Sequence, residues 1–194
     1  MPLVLAIKNK NNLVVATDAS GPATAFERFG QFMPMSSHAA LLMAGNLEAV
    51  RHAIADVVAP KVRAETSAAT LAQLVQAALV LEVVPTLAQV KGRIEIIVAG
   101  FDPIRHIEDP GLYYMDSAQD FYLKIVAADS VAAGSTAAAA PLLASLSYAS
   151  ASVEQMEAVA KECFATTKLR WPEAVESRVR LGVISPGNIQ VKDL

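Results

Sequence analysis

The chain has 194 residues and a formal net charge of −3, and 54% of its residues are hydrophobic against 18% charged. This length predicts a single domain, residues 1–194, and the large apolar fraction exceeds what one such domain needs to bury, which indicates subunit interfaces. The chain carries no basic stripe, which argues against a nucleic-acid partner, and no unbroken apolar run of ~20 residues that would predict a membrane span.

The first part of the sequence shows strand patterns separated by turn formers. Three apolar or β-branched runs predict strands, at residues 3–8, 13–18 and 38–44. The polar turn Asn9–Asn12 between the first two runs predicts a β-hairpin. Residues 26–35 fit an extended return segment, and Gly45 ends the third strand.

A helix pair is predicted next. Apolar residues recur every three to four positions over residues 47–63 and again over residues 67–90, which is typical of helices with one buried side. Asn46 is the expected N-cap of the first helix. Pro85 is expected to kink or end the second helix, because proline lacks the N–H that the helix needs.

The second part of the chain repeats this order. The patterns predict strands at 93–100, 112–115 and 121–127, helices at 137–148 and 153–167, and strands at 178–185 and 189–192. Ser152 is the expected N-cap of the last helix, with Gln155 as its capping-box partner. Strands grouped between helix pairs predict an α+β fold, a four-layer α-β-β-α sandwich of two antiparallel sheets covered by helix pairs.

Four segments in this order and at these spacings resemble the proteasome β-subunit family of the N-terminal nucleophile hydrolase superfamily. They are the opening hairpin at 5–18, the strand–glycine–helix junction at 42–50, the segments 97–103 and 112–116, and Ala133-Gly134-Ser135 before an alanine-rich helix. The resemblance covers nearly the whole chain. It implies the sandwich fold, self-assembly into a hexameric or heptameric ring that could stack, a peptide or protein substrate, and no cofactor.

The resemblance also implies where a catalytic site would lie. In this family the hydroxyl of an N-terminal threonine attacks the peptide carbonyl, and its free amine helps to take up the proton. A lysine, an aspartate that orients it and a serine after a glycine complete the site. These positions fall on Pro2, Gln31, Asp18 and Ser135 respectively. Because Pro2 has no hydroxyl and Gln31 no charge, the nucleophile and the lysine are both replaced.

Each of these residues also has an ordinary structural explanation. Asp18 could cap the turn that follows its strand, and Ser135 could begin the helix that follows it. Gln31 could be a plain polar residue. Pro2 would expose a secondary amine if Met1 were removed, and such an amine can act as a base or nucleophile in an apolar pocket. A further aspartate of the family site falls at Pro172 or Glu173.

The remaining chemistry-bearing residues predict no metal site. His38, His52 and His106 lie far apart and have no metal-ligand spacing with Cys163. The single cysteine is expected to be a buried structural thiol, which fits a cytoplasmic protein without disulfides. The start of the chain does not have the pattern of a signal peptide.

Three functions remain open from the sequence. The first is a ring-forming, proteasome-like subunit that is catalytically degenerate and acts as a scaffold or chamber. The alternative is an active N-terminal-nucleophile-type peptidase or amidohydrolase that uses Ser135 or the Pro2 amine. A third is a binding module that holds peptides in the cleft by strand addition.

Overall fold

The computed structural model describes residues 2–18, 31–102, 110–144, 147–173 and 178–193. Within these residues all neighbouring strands pair antiparallel. The strands are β1 Leu3–Lys8, β2 Leu13–Asp18, β3 Phe32–Pro34, β4 Ala39–Gly45, β5 Ile94–Gly100, β6 Gly111–Asp116, β7 Lys124–Ile125, β8 Ser130–Gly134, β9 Val179–Ser185 and β10 Asn188–Asp193. Sheet A has the order β10-β9-β2-β1-β8, and sheet B has the order β3-β4-β5-β6-β7.

The helices follow the strands in two groups. The α-helices are α1 Glu48–Arg51, α2 Ala68–Glu82, α3 Ala139–Ala144 and α4 Val153–Arg170. A π-helical segment, His52–Val58, and a 3-10 turn, Ala59–Lys61, continue α1. Two more 3-10 segments, Val84–Gln89 and Ser117–Gln119, follow α2 and β6.

Three apolar layers hold these elements together as a four-layer sandwich. Because side chains alternate along a strand, β1 sends Leu3, Leu5 and Ile7 towards α3 and α4, while Val4 and Ala6 face sheet B. In sheet B, Leu41 and Met43 face α1 and α2. The inter-sheet layer combines the inward residues of both sheets. The predicted α+β fold with two helix-covered antiparallel sheets is therefore confirmed.

Local sequence signals account for several element boundaries. The Asn9 side chain accepts hydrogen bonds from the amides of Asn11 and Asn12, at 2.8 and 2.7 Å, and so closes the first hairpin. Ser152 and Gln155 form the expected capping box of α4. Helix α2 ends at Glu82, three residues before Pro85, as expected from the missing N–H of proline.

Two sequence predictions were wrong in extent. The helix predicted over 137–148 is present as Ala139–Ala144, and Tyr148 lies outside it, buried in the core beneath α3 and α4. The strand predicted over 121–127 is reduced to Lys124–Ile125, because Phe121 has a φ of 56° in the turn that follows Ser117–Gln119. The high alanine content led to the overlong helix prediction, and the β-forming residues led to the overlong strand prediction. In both cases the chain forms turns or irregular structure where a regular element was expected.

Other predictions differ from the structure in smaller ways. The sequence analysis did not anticipate strand β8, whose small residues Ser-Val-Ala-Ala-Gly carry a weak strand signal. The prediction of Asn46 as the N-cap of α1 was wrong by one residue: the N-cap is Leu47, and Asn46 only accepts from the Ala49 amide at a long 3.4 Å. The predicted return segment is a strand only at Phe32–Pro34, and residues 26–30 lie outside the described residues. No helix of the described chain combines the length and apolar character required to cross a bilayer.

Candidate functional site

The four residues singled out in the sequence lie at one end of the sandwich, where β1 begins and β2, β4 and β8 end. Leu3 pairs with Gly134 of β8, and Val4 pairs with Thr17 of β2. Extending these registers places Ser135 beside Pro2 and Asp18 beside Leu3. The end of β4 approaches from sheet B, because Ala44 Cβ lies 3.3 Å from where a Cβ on Gly134 would stand.

Pro2 is held by the turn that leaves β8. The Ser135 amide lies 3.4 Å from the Pro2 carbonyl oxygen, which accepts its hydrogen bond. Gly134 has a φ of +85°, and a Cβ there would stand 1.7 Å from the same oxygen. Only glycine combines this backbone conformation with so close an approach. The glycine that the resemblance identified is thus required by the geometry around residue 2.

Asp18 and Gln31 are in direct contact. Asp18 is 4% exposed at the end of β2. With its amide nitrogen oriented towards Asp18, Gln31 donates to Asp18 Oδ1 at 2.5 Å and to the Asp18 backbone oxygen at 2.8 Å. The reverse orientation would set the amide oxygen against two acceptors, so the hydrogen bonds decide the assignment. The backbone carbonyl of Gln31 accepts from the Met43 amide at 2.8 Å, and this bond attaches Gln31 to β4.

A second set of polar residues lies between the sheets at the same end. We call it the carboxylate network; it consists of Arg93, Glu95, Tyr114 and Asp116. Glu95 and Asp116 are neighbours across β5 and β6, and they are 5% and 3% exposed. Arg93 bonds both oxygens of Asp116, with Nε at 3.0 Å from Oδ1. Such bidentate, charge-assisted pairs are among the stronger polar contacts in proteins.

The electrostatics of the network follow from these contacts. Burial alone would raise the pKa of Asp116, but hydrogen bonds from Arg93 and the Ala118 amide hold that pKa below its usual value. Burial, followed by the hydrogen bond to Glu95, raises the pKa of Tyr114 well above its usual value. Tyr114 therefore stays protonated and donates its hydroxyl proton to Glu95 Oε1.

The histidines can be placed relative to residue 2, which is a proline and has no hydroxyl or thiol. His38 lies at the opposite end of β4, where it accepts from the Gly187 amide, and His52 lies in the helix layer beside Asp56. His106 falls outside the described residues.

No group of three or more metal-ligand side chains is present among the described residues. Cys163 is fully buried between α3 and α4, and burial raises the pKa of its thiol to about 11. An uncharged thiol in such a place is a core residue, as the sequence predicted. Trp171 follows α4, and the Arg170 guanidinium lies 4.8 Å from the centre of its ring.

Sequence reasoning missed the carboxylate network. A signal for it existed, because alternation along 93–100 places Glu95 on the same face as Ile97 and Ala99, both fully buried. A charged residue on the apolar face of a strand requires partners, so it marks a polar site or an interface. The partners themselves lie on other elements and are not readable from spacing.

Comparison with known proteins establishes the fold. No protein-family model and no curated protein sequence matches the chain. Among solved structures, a Gly-1 mutant of Anbu from Hyphomicrobium sp. strain MC1 matches with a TM-score of 0.75 and 15% identity, over 100% of this chain and 87% of that chain. This likeness shows that the two chains share a fold, and it leaves activity to be argued from the site.

Proposed function

We propose that this protein is a ring-forming, proteasome-like subunit whose catalytic site is degenerate, so that it serves as a scaffold or chamber. The observation that carries the proposal is the pair of replacements at the site, Pro2 for the nucleophile and Gln31 for the lysine. Proline offers no side-chain hydroxyl to attack a peptide carbonyl. Glutamine carries no charge with which to lower the proton affinity of an N-terminal amine.

The contact between Gln31 and Asp18 supports this proposal. In the resembled family an aspartate orients the lysine, and here the Asp18 carboxylate holds a neutral amide instead. Two hydrogen bonds hold the pair together, although glutamine supplies no positive charge to the Asp18 carboxylate. A contact that is present without the lysine charge fits a protein whose fold serves assembly.

The composition and the outer surface support assembly. Leu81 on α2 and Leu169 on α4 are 71% and 86% exposed, and they lie on the two opposite helix layers. Exposed leucines on both layers, in a chain that is 54% hydrophobic, fit helix-mediated contacts with other copies. We propose a hexameric or heptameric ring, in agreement with the resemblance, with the outer helices available for stacking.

The test restores the two missing groups. We expect the variant Pro2→Thr, Gln31→Lys, with Met1 removed as verified by intact mass, to cleave fluorogenic peptides. Its matched control is Pro2→Ala, Gln31→Lys, which has the lysine but no hydroxyl. Cleavage should exceed this control by at least ~100-fold, because the amine of residue 2 would act as the base for the new hydroxyl.

Two outcomes contradict the proposal. Cleavage by the unmodified protein that disappears in Ser135→Ala would identify an active hydrolase with a serine nucleophile. Equal activity of the threonine and alanine variants, both folded, would show that residue 2 does not occupy a catalytic position.

A further inference from the structure

Glu95 is a buried carboxylate whose two oxygens are both engaged. It lies on the inner face of β5, between Ala44 of β4 and Asp116 of β6 in the strand registers. Oε1 accepts from the Tyr114 hydroxyl and lies 3.4 Å from an Arg93 guanidinium nitrogen. Oε2 accepts from the Gly134 amide at 2.8 Å. A buried carboxylate with these partners is fixed in position rather than free to rotate.

The bond to Gly134 crosses from one sheet to the other. Lys8 donates to the Asp129 carbonyl, and Ser135 donates to the Pro2 carbonyl, so the odd-numbered residues of this segment form the hydrogen-bonded pairs with β1. The amide of Gly134 consequently points away from β1. Without Glu95 it would be a part-buried donor facing the inter-sheet layer, and such a donor is costly to leave unpaired.

One continuous path leads from the carboxylate network to the first residue of the fold. Arg93 and Tyr114 fix Glu95, Glu95 holds the Gly134 amide, and the next amide, that of Ser135, bonds the Pro2 carbonyl. Every link is a direct polar contact of 3.4 Å or less. A displacement of Glu95 is therefore transmitted to the turn that determines where residue 2 lies.

We propose that Glu95 is the positioning residue of the candidate site, and that its carboxylate fixes the Gly134–Ser135 turn against residue 2. This inference rests on the proposed function in treating the end of the sandwich around Pro2 as the site. It assigns an orienting role to Glu95, a residue of sheet B whose carboxylate reaches the β8 turn of sheet A. The role is one of geometry, and it holds whether or not the site retains chemistry.

The test is residue-resolved amide hydrogen exchange on the full chain with the substitution Glu95→Gln. Glutamine keeps the shape but has no charge and only one acceptor oxygen. The Tyr114 hydroxyl can accept from the new amide nitrogen, so any bond that remains to the Gly134 amide is neutral and weaker. We expect the Gly134 amide to exchange about 10-fold faster, corresponding to the replacement of a charge-assisted hydrogen bond by a neutral one. The Ser135 amide, which bonds the Pro2 carbonyl, should also exchange faster, whereas the Ala133 amide should change by less than about threefold.

Glu157→Gln is the matched control, because Glu157 is a buried glutamate whose carboxylate bonds Lys192, away from the candidate site. It should leave the Gly134 exchange rate unchanged. An unchanged Gly134 or Ser135 rate in Glu95→Gln, or equal acceleration that includes the Ala133 amide, would overturn the proposal. Failure of the restored-nucleophile variant to cleave peptides would leave the exchange result standing, so the two proposals fail separately.

A second measurement covers the case in which Glu95→Gln does not fold. In the unmodified protein, labelled with ¹⁵N-glycine and ¹³C-glutamate, a scalar coupling across the hydrogen bond should connect the Gly134 nitrogen to the Glu95 carboxyl carbon. Observation of the coupling supports the assignment. Its absence, with the Gly134 resonance assigned and sharp, would contradict it.

Discussion

The candidate site has two halves that differ in chemistry. The resemblance assigns Pro2, Asp18 and Gln31 to the reacting groups of the family, and a proline and a glutamine do not offer the hydroxyl and the charge of those groups. The half formed by the carboxylate network contains four polar residues bonded to one another and to the β8 turn. On the proposed function, the network supplies geometry and no chemistry, and a buried network of this kind is costly to disrupt because each polar group would lose its partner.

The largest effect is expected where the two halves meet, at Gly134. We predict that Gly134→Ala destabilises the protein by about 2 kcal/mol more than Gly92→Ala. Both glycines have nearly the same φ, +85° and +86°, so both substitutions incur the left-handed backbone cost of about 1–2 kcal/mol. A Cβ at Gly134 would stand 1.7 Å from the Pro2 oxygen, whereas a Cβ at Gly92 meets nothing within 4 Å. Urea unfolding of both variants measures the difference.

Equal destabilisation by the two alanines would contradict the close apposition of the β8 turn and residue 2. Such a result would mean that the loss of stability comes only from the left-handed backbone conformation that both glycines share. It would also separate the carboxylate network from residue 2, because the path between them runs through Gly134.

A smaller effect is expected from the charge of the network. The pKa of Asp116 is lowered in the folded state, so its stabilisation is present above the unfolded value, near ~3.8, and is lost as pH falls through the folded pKa. We predict that Asp116→Asn flattens the decline in unfolding free energy between pH 5 and pH 2. The unfolding free energies of the two proteins should differ in this range by about 1 kcal/mol, because solvent around the half-exposed Arg93 screens part of its attraction to Asp116.

The control for this prediction is Asp120→Asn. Asp120 is exposed and has a φ of 48°, a conformation that asparagine also tolerates. This variant removes a carboxyl from the turn that follows β6 without changing the Arg93–Asp116 pair, so it separates the effect of that pair from the loss of an acidic residue. If Asp116→Asn leaves the decline in unfolding free energy unchanged, the Arg93–Asp116 pair does not contribute to stability, and the network is held by hydrogen bonds to Glu95 alone.

The fold was predictable because its signals are local and repeated. The hairpin at 3–18, the glycine at 45 and the capping box at Ser152 each combine a pattern with a specific turn or cap residue. Strand β8 and the short α3 were not predictable in the same way. Their alanine-rich sequences permit either structure, and tertiary contacts decide between them.

The site was predictable only in part. The resemblance singled out Asp18 at the end of the second strand and Ser135 after a glycine, and the structure places both at the end of the sandwich where Pro2 lies. The contact of Gln31 with Asp18, and the convergence of Glu95, Tyr114 and Gly134, depend on how the two sheets face each other. Sequence spacing does not predict how the sheets face each other, because the partners come from different sheets.

The most direct test of the central claim is the mass of the unmodified protein after incubation with an epoxyketone or β-lactone that inactivates N-terminal nucleophiles. Native mass spectrometry of the same sample gives its assembly. The account predicts no covalent adduct and a native mass of six or seven subunits or a multiple of that ring. An adduct on residue 2 or Ser135 would contradict the degenerate site, and a monomeric mass at micromolar concentration would contradict the ring.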